Sequence, residues 1–187
     1  MKKLSYLLLF LILVSCSQQQ QARKPISESS GTFIQESIER NKKLNKEEET
    51  RIAQFIKNDS LNKYLVSPKG YWYSYDTKVE EQTKNPERGE IVYFDYEIRN
   101  LNKEIIYSQK ELKSKVYYVD KEDVLLGLRD GIKTMKKGEK VTFLFPSHKA
   151  YGYHGDDHKI GTNEPLLCTV TLNDIKTDNS KKENENN

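Results

Sequence analysis

The stretch Val124–Gly152, VLLGLRDGIKTMKKGEKVTFLFPSHKAYG, decides the fold. Asp123 can cap a short helix that starts near Val124 and ends at Lys136-Lys137-Gly138. Val124, Leu125, Leu128, Ile132 and Met135 fall on one face of it, and Gly138 stands where a left-handed stop belongs. The period then changes to two: Val141, Phe143 and Phe145 point one way and Thr142 the other. A long loop from Ser147 to Pro165 follows and carries Tyr151. The stretch holds no activated nucleophile, no set of metal ligands and no phosphate-binding loop. It reads as the floor and wall of an apolar pocket, suited to a reaction that needs a shaped, dry surface.

Working outward, the same period of two recurs. Leu166, Cys168, Val170 and Leu172 form the inward set of a last strand, and the charged, Asn-rich residues 177–187 read as a disordered tail. Upstream, Val92, Phe94 and Tyr96 alternate with Tyr93, Asp95 and Glu97. Tyr71, Tyr73 and Tyr75 alternate with Trp72 and Ser74 after the turn Ser67-Pro68-Lys69-Gly70, and a further strand covers Lys115–Val119. Asn100–Glu104 is a turn. The order is helices, strands, one short helix, strands: an α+β domain with an antiparallel sheet, whose apolar face the short helix must cover.

Residues 32–66 turn helical. Thr32 with Gln35, and Asn45 with Glu48, offer capping boxes, so the pattern reads as one long helix broken near Asn41–Asn45 or as two shorter ones. Ile52, Phe55 and Ile56 form an apolar stripe, either a dimer seam or a face packed on the body of the protein. Glu47, Glu48 and Glu49 read as a solvated helix face.

The chain has 187 residues, enough for one domain with attachments, and 31 basic against 28 acidic residues leave a net charge of only +3. That balance excludes a dedicated nucleic-acid binder. Twelve tyrosines suit half-buried strands and wet pockets, since the ring is apolar and its tip polar. Lys2 and Lys3 precede an apolar run, Leu4–Val14, too short to span a bilayer. The run ends in Leu13-Val14-Ser15-Cys16, which resembles the bacterial lipobox. The resemblance implies a signal peptide over residues 1–15, cleavage before Cys16 and acylation of its thiol. Residues 16–31, Gln- and Ser-rich, then form a lipidated tether. Ser17 after Cys16 points to a periplasm-facing outer-membrane location in the cell envelope. With Cys16 acylated, Cys168 has no disulfide partner, and no histidine in its strand makes it a nucleophile; it reads as a buried structural cysteine.

Together, Gly89-Glu-Ile-Val-Tyr-Phe-Asp-Tyr96, Val124-Leu125 with Gly127, Gly131-Ile-Lys-Thr-Met135, Lys137-Gly138-Glu139, Ala150-Tyr151-Gly152 and the last Leu-x-x-x-Val-x-Leu strand resemble the FKBP-type peptidyl-prolyl isomerases over residues 67–176. With the lipobox, the N-terminal helical region and the GYWYSY strand, the chain looks most like the gliding-motility-associated isomerase lipoproteins of Bacteroidetes-type bacteria. The resemblance implies five or six antiparallel strands curled around one short helix. The pocket between them is lined by Tyr96, Ile106, Val124, Leu125, Leu128, Tyr151, Ile160 and Cys168, with Leu128 as floor. It implies catalytic roles for Tyr96, the Leu125 N–H and the Tyr151 hydroxyl, no cofactor and no metal, and proline-containing segments of exported proteins as substrates.

Departures from the family qualify this. Leu128 stands where the family has Trp, Ile106 and Cys168 replace aromatics, and Tyr107 stands at a position often held by Asp. Each loss of contact area is worth on the order of 1 kcal/mol at ~25 cal/mol per Å². A wider pocket and reduced activity are therefore expected, and a non-catalytic binding or assembly module is the alternative reading. Tyr151 can equally anchor its own loop. His154-Gly-Asp156-Asp157-His158 resembles a metal motif, but Gly155 and a loop setting remove the helical spacing that would converge the ligands. In the family this stretch is a flap beside the pocket.

Overall fold

Alternating side chains build seven antiparallel strands: β1 Leu65–Ser67, β2 Tyr71–Thr77, β3 Ile91–Arg99, β4 Ile105–Tyr107, β5 Lys115–Tyr118, β6 Lys140–Phe145 and β7 Leu166–Lys176. The computed structural model that shows them describes residues 30–80 and 84–178. The expected leader over residues 1–15, Cys16, almost all of the tether and all but the start of the tail lie outside the described residues. The sheet runs β1-β2-β6-β7-β3-β4, and β5 pairs with β3 beside β4. The sheet exceeds the expected five or six strands through β1 and β4, which span three residues each, too few to show a period of two.

The fold is α+β, as the alternation implies. Val141, Phe143 and Phe145 of β6 and Leu166, Cys168, Val170 and Leu172 of β7 are buried on one face. Across that face lies a short helix, later in the chain than two others. These are α1, Ser30–Asn58, and α2, Gln109–Leu112. The covering helix, α3, spans Leu126–Ile132, about half the expected length. It stops early because Thr134 and Met135 bond back three residues, to Gly131 and Ile132, and the Thr134 hydroxyl also caps the Gly131 carbonyl at 2.7 Å. Gly138, with φ +87°, then serves the turn into β6 rather than the helix end. Two glycines let α3 settle on the stacked rings of Phe143 and Phe145: a Cβ at Gly127 would lie 2.5 Å from the Phe145 ring, and one at Gly131 2.8 Å from that of Phe143.

The chain divides into two compact units, residues 1–39 and 40–187. The described part of the first is the opening of α1, where Phe33, Ile34 and Ile38 are exposed. In the second, the rest of α1 covers the opposite face of the sheet. Ile52 is buried with Leu144 of β6 and Leu167 of β7, and Phe55, Ile56, Tyr64 and Trp72 pack around them. The apolar stripe therefore packs on the body. No break interrupts α1 at Asn41–Asn45, because Glu48 does not turn back to cap Asn45. Nor is Glu48 a solvated residue like its neighbours Glu47 and Glu49. It lies four residues before Ile52, on the same helix face, and is 3% exposed.

Asp59 closes the helix end. Its buried carboxylate accepts from Asn62 Nδ2 at 3.0 Å and the Tyr64 hydroxyl at 3.1 Å, and pairs with Lys103 at 3.1 Å. Burial alone would raise its pKa, but these partners hold it below the ordinary carboxylate value.

Candidate active site

Along β3 the inward side chains are buried at Val92, Phe94 and Ile98, but Tyr96, between Phe94 and Ile98 on the same face, is only half-buried. The face is incompletely covered at that point. Tyr96 pairs with Val170 and Ile98 with Cys168 across β7, so the tyrosine stands beside the buried thiol.

Five further half-buried residues gather around the same apolar cluster: Ile106 and Tyr107 from β4, Val124 and Leu125 from the approach to α3, and Tyr151 from the loop after β6. All eight residues expected around the pocket thus belong to one cluster. The structure differs in which of them offer surface. Leu128 is 1% exposed, Ile160 4% and Cys168 0%. These three form the layer beneath and cannot touch a ligand while their neighbours stay in place. The small Leu128 and Cys168 have not left an open floor, because interiors close around smaller side chains to keep their packing density.

Each exposed group is held for a reason. Leu125 has an extended backbone, φ −45° and ψ 131°, and its carbonyl accepts from Arg129 N at 2.9 Å as the first bond of α3. Its own N–H precedes the helix and donates to no backbone or side-chain acceptor among the described residues. Tyr151 is flanked by Ala150 and Gly152, whose N–H groups both donate to the Ser147 carbonyl, at 2.9 and 2.8 Å. The three-residue helical turn Ser147–Lys149 is tied to α3 by Lys149 and Asp130, 3.6 Å apart and both largely buried.

Electrostatics keep the phenols neutral. Burial raises the Tyr151 pKa well above its usual value, with smaller contributions from Tyr96, Cys168, Asp156 and Tyr107. Tyr96 is raised by burial and by Cys168. Both hydroxyls therefore stay protonated at physiological pH and can donate hydrogen bonds. Burial pushes the Cys168 thiol up to about 12, which removes it as a nucleophile.

The flap is fastened by groups that the sequence reading did not assign. The Tyr107 hydroxyl donates to Asp156, which also accepts from Ile160 N at 2.8 Å and His158 N at 3.0 Å. Burial works to raise the Asp156 pKa, but these donors hold it at about 2. Lys159 Nζ reaches the Ile106 carbonyl at 3.3 Å and Glu111 at 2.5 Å, and lies 4.7 Å over the Tyr107 ring. Gly155 permits the bend: its φ is +67°, and a Cβ there would meet the Ile160 carbonyl at 2.3 Å. The Asp156 carboxylate is thus engaged in fastening the flap to β4. Tyr107 places the phenol on the strand and its carboxylate partner on the flap.

Comparisons with known proteins bear on the family and the fold. The family model "FKBP-type peptidyl-prolyl cis-trans isomerase" matches residues 82–173. A probable FKBP-type peptidyl-prolyl cis-trans isomerase FkpA from Neisseria meningitidis serogroup B is 28% identical over 144 residues, which are 75% of this chain and 52% of the relative. The chain thus matches only about half the length of that relative. A crystal structure of a peptidyl-prolyl cis-trans isomerase from Pseudomonas syringae pv. tomato superposes with a TM-score of 0.58 at 20% identity, over 73% of this chain and 96% of that one, a likeness of fold. Residues 82–173, about half of the chain, are thus similar to the FKBP-type peptidyl-prolyl cis-trans isomerases.

Proposed function

We propose that this chain catalyses rotation about X-Pro bonds in exported or envelope proteins, as a folding helper, from the apolar cluster of residues 67–176. The observation that carries the reading is that half-buried Tyr96, Ile106, Val124, Leu125 and Tyr151 pack against one apolar cluster that includes the buried Leu128, Ile160 and Cys168. Rotation about a peptide bond faces a barrier of ~18–20 kcal/mol from amide resonance. X-Pro bonds populate both isomers and exchange unaided over roughly tens of seconds. Nothing has to be broken, so the catalyst need only bind the twisted amide better than either planar form. Val124, Ile106 and the Tyr96 ring grip the proline and exclude water. The Leu125 N–H donates to the carbonyl preceding proline, and the Tyr151 hydroxyl to a neighbouring carbonyl. Each is a neutral donor, so no proton changes hands.

The test is refolding limited by X-Pro isomerisation, with the whole chain carrying Cys16→Ser. Acceleration over background is expected. Tyr151→Phe should reduce kcat/KM roughly two- to tenfold, the equivalent of one neutral hydrogen bond, about 0.5–1.5 kcal/mol. Background rates with the unsubstituted chain would sink the reading. A binding-only module is the second reading. It is favoured by the complete burial of Leu128 and Cys168, which leaves less surface to a proline ring; it predicts peptide binding without acceleration.

The site of action follows from the leader. Cleavage before Cys16, acylation of its thiol and the tether over residues 16–31 would hold the domain at the membrane, facing the periplasm. The lipobox and the GYWYSY strand are what support kinship with the gliding-motility lipoproteins. Palmitate fed to cells should label the chain and fail to label Cys16→Ser, which should leave the membrane fraction. Equal labelling of both would exclude Cys16 as the anchor.

A further inference from the structure

Glu48 lies outside the span that matches the family, on a helix that precedes it. Yet its carboxylate is buried at 3% exposure and receives two hydrogen bonds from one residue of the catalytic loop: Ser147 N donates to Oε2 at 2.9 Å and Ser147 Oγ to Oε1 at 2.6 Å. Ser147 is equally buried. A carboxylate taken out of water is costly unless its donors are fixed, so this one holds its donors in place as much as they hold it. The held residue is the pivot of the loop. β6 ends at Phe145, and the chain turns at Ser147. The Ser147 carbonyl then accepts the N–H groups on both sides of Tyr151. Thus two contacts connect α1 to Tyr151: carboxylate to Ser147, and Ser147 to the amides of Ala150 and Gly152.

We propose that Glu48 is a positioning residue for Tyr151, and that the functional isomerase unit includes α1 from before residue 48 rather than beginning near residue 67. This rests on the reading of Tyr151 as a substrate donor, but the loop geometry can be tested without it. Glu48 touches no substrate. It fixes the backbone from which the Tyr151 hydroxyl is presented, and a misplaced donor costs rate even when the fold survives.

The test uses the whole chain carrying Cys16→Ser, with Glu48→Ala, Glu48→Gln and the milder Ser147→Ala, which keeps the backbone N–H. Amide hydrogen exchange is the first measurement. Exchange at Ser147, Ala150 and Gly152 should quicken about tenfold or more in Glu48→Ala, less in the other two, while Val141–Phe145 in β6 stay as protected as before. The second measurement is kcat/KM in the X-Pro refolding assay. Glu48→Ala should lower it about fivefold, and should lower it no further when Tyr151→Phe is already present, because two residues acting through one donor are not additive. Unchanged exchange in the loop would overturn the proposal. So would exchange that quickens equally in loop and sheet, which marks a general stabiliser, or an activity loss that persists undiminished beside Tyr151→Phe. If the parent chain accelerates nothing, the isomerase reading fails by itself, and the exchange measurement alone decides whether Glu48 holds the loop.

Discussion

Phe143→Ala should cost about 3–5 kcal/mol of stability, the usual range for truncating a fully buried aromatic, and urea denaturation should show it as a large fall in midpoint. Phe143 has no exposed surface, stacks on Phe145 with ring centres 5.5 Å apart, and meets Tyr71 edge-on at 5.8 Å. Its ring also fills the space that a side chain at Gly131 would need, since the three nearest atoms to a Cβ there, at 2.8 to 3.2 Å, all belong to Phe143. That gives the prediction a sign change. Gly131→Ala alone should destabilise by about 1–3 kcal/mol through overpacking. In the Phe143→Ala background the obstructing ring is gone, and the same substitution should become neutral or stabilising, by up to about 1 kcal/mol of helix propensity. A Gly131→Ala penalty of equal size in both backgrounds would mean that α3 is not seated on this ring.

The seating of α3 also shows what was legible in the sequence. The period of two gives the inward residues of β3, β6 and β7, because each strand is long enough to repeat its pattern and one face is buried. β1 and β4 lack the length for that, and α2 escaped notice although Ser108, whose side chain accepts from Glu111 N, stands in a capping position before it. The eight expected site residues do gather in one cluster, since motif spacing carries over which elements meet. Their division into rim and floor was hidden: exposure of Leu128, Ile160 and Cys168 depends on how far the neighbours close in, and no local pattern records that. Glu48 was misread for a related reason. Charge assigned it to solvent, whereas helical spacing from Ile52 assigned it to the buried face, and the donor that resolves the conflict lies 99 residues away at Ser147. Asp156 likewise finds Tyr107, 49 residues distant, on a different element.

Leu125→Pro should lower kcat/KM for X-Pro isomerisation by about tenfold or more, with far less change in stability. The two candidate donors differ in what a substitution can isolate. Tyr151→Phe removes one hydroxyl at the rim, where water can still reach the abandoned carbonyl. Leu125 would donate through its backbone, beside half-buried Val124 and in the same cluster as the buried Leu128. A substrate carbonyl left there without a donor bears the full desolvation penalty of about 1–3 kcal/mol, a roughly 5- to 150-fold change in rate. Proline is tolerable at this place. The native φ of −45° is near what its ring requires, and the N–H it removes belongs to no helical hydrogen bond. Leu125→Ala is the necessary control, because proline also deletes the leucine side chain. Alanine keeps the N–H, so its loss of activity should be several-fold smaller than that of proline. Equal losses in the two variants, at equal urea midpoints, would assign the contribution of Leu125 to its side chain and remove its N–H from the mechanism.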